Sequence, residues 1–298
     1  MDQSVTIRTP ATTKAVALMV GASLLVAATS LIAKRLGLET GAGPGLNPFQ
    51  VSAGRFVFAL AALGLFLAAA PKRRPALKGA RWSWHFLRSL CGWLGVTCMF
   101  AAVARMPVAE ATAISFLNPL VTMGLAVTVL GERITVRKYI AAGLAIAGAA
   151  LILRPGTDAF QPAGLLALAA ALFMGFEAIF IKRLSDTEPA LRVLLINNCL
   201  GACVSVIAAS FVWAVPTGEQ WALLATLGVV MVCAQSLFIQ SMKRGEASVV
   251  IPAFYTMLVF AAVYDFVLYG VLPSHAAVIG AVLIVAGALA LALRRPAG

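Results

Sequence analysis

Four charged side chains stand inside otherwise apolar runs of this sequence: Arg55, Arg88, Glu177 and Asp265. A charge at membrane depth is costly and is kept where it pairs, lines a polar path or handles a charged solute. Counting about 1.5 Å per residue from the ends of the runs puts Arg55 roughly 10 Å and Asp265 roughly 8 Å below one surface. Arg88 and Glu177 each fall roughly 9 Å from the other surface. This spacing predicts two ion pairs, Arg55–Asp265 and Arg88–Glu177, acting as gates on opposite sides of a central cavity. Snorkelling or static bridging is the alternative for each. Trp93 and Asn118 lie roughly 16 Å deep, near mid-membrane. Ser23, Ser115, Asn197, Asn198 and Tyr255 lie within a turn or two of that level, and Phe173, Phe176 and Phe254 join them if they point inward. Aromatic walls with a few amides and hydroxyls suit an amphipathic organic solute. The candidate solute-binding residues are therefore Trp93, Ser115, Asn118, Phe176, Asn197 and Tyr255, with core packing the competing role for Trp93. Pro119 has no N–H, which deprives the Ser115 carbonyl of its helical partner. Either a solute or the side chain of Ser115 or Asn118 would then satisfy that oxygen.

The elements that must position these residues are ten apolar segments near 15–33, 48–70, 82–104, 107–131, 137–153, 162–181, 190–213, 219–241, 247–270 and 273–293. Spans need about 20 mainly apolar residues. With 61% hydrophobic and 11% charged residues, the chain has no water-facing domain to spare. The fold class expected is an all-α integral membrane protein of ten helices in two inverted groups of five. Five is odd, so the second group enters the bilayer from the opposite side.

The net charge of +12 is not read as a nucleic-acid footprint. Most basic residues, including Lys72, Arg73, Arg74, Lys78 and Arg81 of one loop, fall on a single side. The other side holds only Lys34, Arg35, Arg105 and Arg154. That bias places both termini in the cytoplasm and the 71–81 loop against anionic lipid. Trp82, Trp84, Trp213 and Trp221 sit at span ends as interfacial anchors. The five cysteines lie within spans, and no disulfide framework is implied. His85 and His275 lie near opposite surfaces, and no His/Cys cluster or Gly-x-x-x-x-Gly-Lys loop occurs, so neither a metal, a cofactor nor ATP hydrolysis is expected.

The two groups repeat. Met106-Pro107-Val108-Ala109-Glu110-Ala111 opens the fourth span as Lys243-Arg244-Gly245-Glu246-Ala247 opens the ninth. Gly131-Glu132-Arg133-Ile134-Thr135 and Ala147-Gly148-Ala149 are echoed by Gly270-Val271-Leu272-Pro273-Ser274 and Ala286-Gly287-Ala288, with a small insertion in the ninth helix. Glu110 and Glu246 sit where a carboxylate complements a helix N-terminus, and Thr135 and Ser274 are placed as N-caps. Gly143/Ala147 and Ala276/Gly280 are small pairs fit for close helix contact in two helices that face lipid or an interface.

The run Ala109–Leu151, with Asn118-Pro119-Leu120, Leu130-Gly131-Glu132 and Gly143…Gly148, resembles the EamA module of the drug/metabolite transporter superfamily. Two modules would cover 14–154 and 162–298, after a 1–13 tail and around a 155–161 linker. The second copy departs from the first: Tyr255 stands for Pro119, a proline moves to Pro252, and Val271 stands for Glu132. The resemblance implies a bacterial inner-membrane carrier with a central cavity that exports small organic solutes, its general likeness being to aromatic amino acid exporters. Its partners would be that solute and the bilayer, and a monomer would suffice. Exporters of other solutes or cationic drugs, a channel and an intramembrane enzyme are the alternatives. Asp265 or Glu177 could couple protons, whereas facilitated diffusion needs no titrating group.

Overall fold

The computed structural model describes residues 10–39, 43–130, 136–154, 161–185, 187–244 and 253–292. The expectations for Glu132, Thr135, Glu246, Pro252 and most of the 155–161 linker lie outside the described residues. Among the described residues eleven α-helices form: α1 Pro10–Gly37, α2 Pro48–Ala69, α3 Trp82–Val103, α4 Val108–Ser115, α5 Asn118–Leu130, α6 Val136–Leu153, α7 Ala163–Ser185, α8 Ala190–Ser210, α9 Gly218–Arg244, α10 Thr256–Tyr269 and α11 His275–Ala292. No strand occurs among the described residues. Six helices, α1, α2, α3, α7, α8 and α9, are each long and apolar enough to cross a membrane. With α4 and α5 taken as two pieces of the expected fourth span, the described helices match the ten expected segments in number and order.

Local chemistry sets the helix ends. Asn47 accepts a hydrogen bond from the Phe49 N–H (3.0 Å) with Pro48 at the first helical position of α2. Thr217 and Gln220 cap each other at the start of α9: Gln220 N–H donates to Thr217 Oγ1 (3.3 Å) and Thr217 N–H to Gln220 Oε1 (2.9 Å). Ser274 caps α11 as expected, accepting from Ala277 N–H at 3.2 Å. Gly270 closes α10 in the left-handed region (φ 65°).

The helices pack across the two halves more than within them. The most extensive pairings are α6 with α11, α1 with α9, α3 with α7, and α2 with both α8 and α9. In a bilayer the gain comes from close contact between small residues rather than from hiding apolar surface from water. The α6–α11 crossing illustrates this: a Cβ on Gly148 would lie 2.4 Å from the Gly280 carbonyl oxygen, and one on Gly280 2.6 Å from that of Gly148. Gly143, expected in this contact, has nothing within 4 Å of its Cβ position. The crossing point is one helical turn farther along.

The fourth span is not continuous. It breaks at Phe116–Leu117, and the Asn118 amide nitrogen donates to the Ser115 carbonyl at 3.1 Å. The helix therefore repairs the proline-made gap with its own side chain. Thr122 Oγ1 reaches both Asn118 O (3.0 Å) and Gly175 O of α7 (3.2 Å), locking the break against its neighbour.

Replacing Gly148 or Gly280 by valine is expected to lower thermal stability in detergent by about 1–3 kcal/mol through overpacking. Gly143→Ala, in the same helix, should leave the melting temperature unchanged or slightly raised. Equal losses at all three positions would refute the crossing.

Candidate functional site

Arg55 on α2, Arg88 on α3 and Glu177 on α7 converge as one charged cluster. Arg88 Nη2 lies 3.4 Å from Glu177 Oε1, and Arg55 interacts electrostatically with both, attracted by Glu177 and repelled by Arg88. Glu177 can approach α3 because Gly92 has no side chain: a Cβ there would fall 2.8 Å from Glu177 Oε1. The expected Arg88–Glu177 pair is thus formed. The expected Arg55–Asp265 pair is not.

Helix α8 supplies the floor of the cluster through three residues four apart, which share one face. Arg88 Nη1 donates to Val193 O (3.3 Å). Gly201, two turns on, admits the Phe56 ring, whose nearest atoms would be 2.5 Å from a Cβ. Asn197 lies between them, buried, with its Oδ1 unpartnered. Arg55 sits over the Phe56 ring (4.1 Å to the centroid) and is 5% exposed, with Nε and Nη1 buried and unpartnered. Trp93, Phe56 and Ala202 form the adjoining apolar cluster. Trp93 stacks on Phe49 (centroids 5.8 Å apart, 25° between planes) and donates from Nε1 to Ser52 Oγ at 3.1 Å. It is held rigidly as a wall.

Other candidates fall elsewhere. Tyr255 meets Phe116 edge to face (4.9 Å) beside the α4–α5 break. Ser115 hydroxyl is turned back onto Thr112 O (2.8 Å). Phe176 is half-buried, one position before Glu177. Tyr255 also borders a groove of about 750 Å³ along α10 and α11, walled by Val259, Val263, Val278 and Val282. Those valines are exposed, and apart from Glu110 and Tyr255 the groove carries almost no polarity. That is the composition of a lipid-facing surface, and the charged cluster is the better site.

Asp265 has different partners from the one expected. Its Oδ1 accepts from Lys34 Nζ at 2.8 Å, and its Oδ2 from the Ala109 N–H at 3.0 Å. Lys34, expected in an outer loop, is in the last turn of α1, 8% exposed, with its ammonium 4.4 Å from the Tyr269 ring centroid. Asp265 therefore caps α4 from another helix, while Glu110, in the first turn of α4, is buried beside it and feels Arg154, Asp265 and Lys34.

A second network was missed entirely. His85, 0% exposed, donates from Nε2 to Glu188 Oε2 (2.9 Å). Glu188 Oε1 accepts the Arg81 N–H (2.9 Å), and Arg192 Nη1 stands 3.6 Å from Oε2. Burial pushes the Glu188 carboxyl up, but these hydrogen bonds and the charges of His85 and Arg192 outweigh it and hold the group below its usual 4.5. The i,i+4 spacing of Glu188 and Arg192 was the one legible signal. Nothing in the sequence brings His85 across from the start of α3.

The pattern of this chain matches the profile of the EamA-like transporter family twice, over residues 13–154 and 161–293. The protein belongs to the EamA-like transporter family. It is thus a multi-pass membrane transporter for small metabolites. Among its relatives is an S-adenosylmethionine uptake transporter of Rickettsia prowazekii (strain Madrid E), 30% identical over 247 residues, 83% of each chain. A pseudopaline exporter, CntI, of Pseudomonas aeruginosa (strain UCBPP-PA14) is 26% identical over 243 residues, covering 80% of this chain and 86% of that one. A riboflavin transporter of Vibrio cholerae serotype O1 is 26% identical over 215 residues, 71% and 72% respectively. None of these three is named for the aromatic amino acids that the sequence pointed to. A crystal structure, 24% identical, superposes with a TM-score of 0.59 over 95% of this chain and 96% of that one, and so shares the fold.

Two outcomes are expected of this EamA-like protein. Lys34→Met should cost about 3–5 kcal/mol by stranding a buried carboxylate. Adding Asp265→Asn, which can still accept from Ala109, should restore part of that in a thermal-unfolding series. For Glu188, a carboxyl held below its usual value stabilises the fold above about pH 4.5, and the contribution disappears as pH falls through the lowered value. Glu188→Gln should therefore melt below the wild type at neutral pH, by about 1–3 kcal/mol. The gap should close in acid, and a pH-independent gap would contradict the assignment.

Proposed function

We propose that this chain is an alternating-access carrier of two inverted five-helix repeats, moving a small amphipathic metabolite that carries an aromatic or heteroaromatic ring. The observation that carries the reading is the pattern of helix pairing. Let α1, α2, α3, the broken α4–α5 and α6 correspond in order to α7, α8, α9, α10 and α11. Exchanging the two sets turns α1–α9 into α7–α3, α2–α9 into α8–α3, and α1–α10 into α7 with α4–α5, all of which are contacts in the fold. The α2–α8, α4–α10 and α6–α11 pairs map onto themselves. These pairings support a pseudo-two-fold relation between halves of equal helix number, and five helices per half would make the halves antiparallel. The two family matches divide the chain at the same place.

The basic loop at 71–81 supports a topology with that loop and both termini in the cytoplasm, and the bacterial relatives support an inner membrane. The cargo reading draws on the relatives named for S-adenosylmethionine and riboflavin, both ring-bearing, and on the aromatic wall of Trp93, Phe49 and Phe56 beside the charged cluster. Aromatic amino acids remain in the same chemical class. Relatives named for uptake and for export support a direction set by the cargo gradient.

Counterflow in proteoliposomes tests this with radiolabelled S-adenosylmethionine, riboflavin, tryptophan, phenylalanine, leucine and glutamate, with and without a pH gradient. Saturable counterflow of at least one ring-bearing solute, and none of leucine or glutamate, is expected. Equal flux of leucine, or no ring-bearing flux, would reject the proposal.

A further inference from the structure

Arg55 presents an anomaly that the rest of the fold does not resolve. A guanidinium stays ionised in proteins, and burying it without partners is strongly unfavourable. Yet Arg55 is 5% exposed, and its Nε and Nη1 have no hydrogen-bond partner. The neighbouring carboxylate does not neutralise it, because Glu177 is engaged by Arg88 at 3.4 Å and the cluster keeps a net positive charge. Stacking over Phe56 at 4.1 Å holds the guanidinium plane while leaving its N–H edges unpaired. On α8, which packs against the helix of Arg55, Asn197 Oδ1 is a buried acceptor without a donor, one turn from each of the residues that meet Arg88 and Phe56. Unpaired donors on α2 and an unpaired acceptor on the α8 helix packed against it are complementary to a carboxylate and an ammonium of one molecule.

Resting on the carrier reading above, we propose that Arg55 is the receptor for the cargo carboxylate, and that the cargo is therefore an amino-acid-bearing metabolite. Arg55 binds the carboxylate through its N–H fork, the geometry that favours guanidinium over ammonium. Asn197 Oδ1 and the Glu177 carboxylate receive the cargo ammonium, and the Trp93 wall takes the ring. Arg55 then completes its hydrogen bonds only when cargo is bound, which distinguishes it from the paired charges at Asp265 and Glu188.

The test compares carboxylated and decarboxylated partners: S-adenosylmethionine against its decarboxylated form, and tryptophan against tryptamine. Binding to purified wild type, Arg55→Met and Arg55→Lys is read by ligand-induced thermal shift and by competition in proteoliposomes. The wild type is expected to prefer at least one carboxylated partner by tenfold or more. Arg55→Met should abolish that preference, and Arg55→Lys, charged but without the fork, should weaken it. The unliganded Arg55→Met protein should melt no lower than wild type, because it loses an unpartnered buried charge. A purely structural arginine predicts the reverse, so a lowered melting point overturns the inference. So does a preference that survives in folded Arg55→Met. A wild type that carries riboflavin but neither carboxylated probe overturns this inference and leaves the carrier standing. Absence of flux for every ring-bearing solute overturns both.

Discussion

At membrane depth a polar group without a partner has no water to fall back on, and that constraint organises this molecule. Its clearest expression is Asp265. One carboxylate on α10 binds the Lys34 ammonium of α1 and caps the first turn of α4 through the Ala109 N–H. Three helices from both halves of the chain are joined at a single side chain. The break at Phe116–Leu117 obeys the same rule, with Asn118 covering the carbonyl that Pro119 leaves bare and Thr122 bonding onward to α7. Irregular backbone is thereby tolerated inside an apolar bundle.

The Arg55–Arg88–Glu177 cluster stands out because it gathers two buried guanidinium groups around one carboxylate. It is assembled by close approaches that only glycine permits, Gly92 for Glu177 and Gly201 for the ring beneath Arg55. Glycine at these points brings side chains from α2, α3, α7 and α8 to one level. The α6–α11 pair is different in kind: backbone meets backbone at Gly148 and Gly280, with no charge nearby on either helix. One set of small residues builds a site, and the other builds a seam.

The starts of α3 and α9 are each tied to a connection distant in sequence, by different chemistry. At α3, His85 and Glu188 tie the helix to the α7–α8 connection through ionisable groups. At α9, Gln220 ties the helix to the α1–α2 connection by donating an amide hydrogen to Pro44 O at 2.9 Å. The first tie rests on a carboxylate held below its usual value, and the second is neutral. Gln50 adds a further neutral tie, bonding the Ala214 backbone through both ends of its amide.

The sequence by itself determined the helices and where several of them stop. Hydropathy and span length are local properties, and so is the cap at Ser274, where a side chain reaches only three residues along its own chain. It also showed which buried charges needed an explanation. It assigned Arg88 to Glu177 correctly by depth. Depth alone failed for Arg55 and Asp265, because several charges share a level and depth says nothing of the direction a helix face points. Lys34 was hidden by its place next to a polar loop, and His85–Glu188 by a separation of 103 residues with no pattern to link them. The order of helices around the bundle, and therefore the partner of every buried charge, was decided only by tertiary packing. That packing depends on which small residues let which backbones approach, a pairwise property of surfaces that no single run of residues contains.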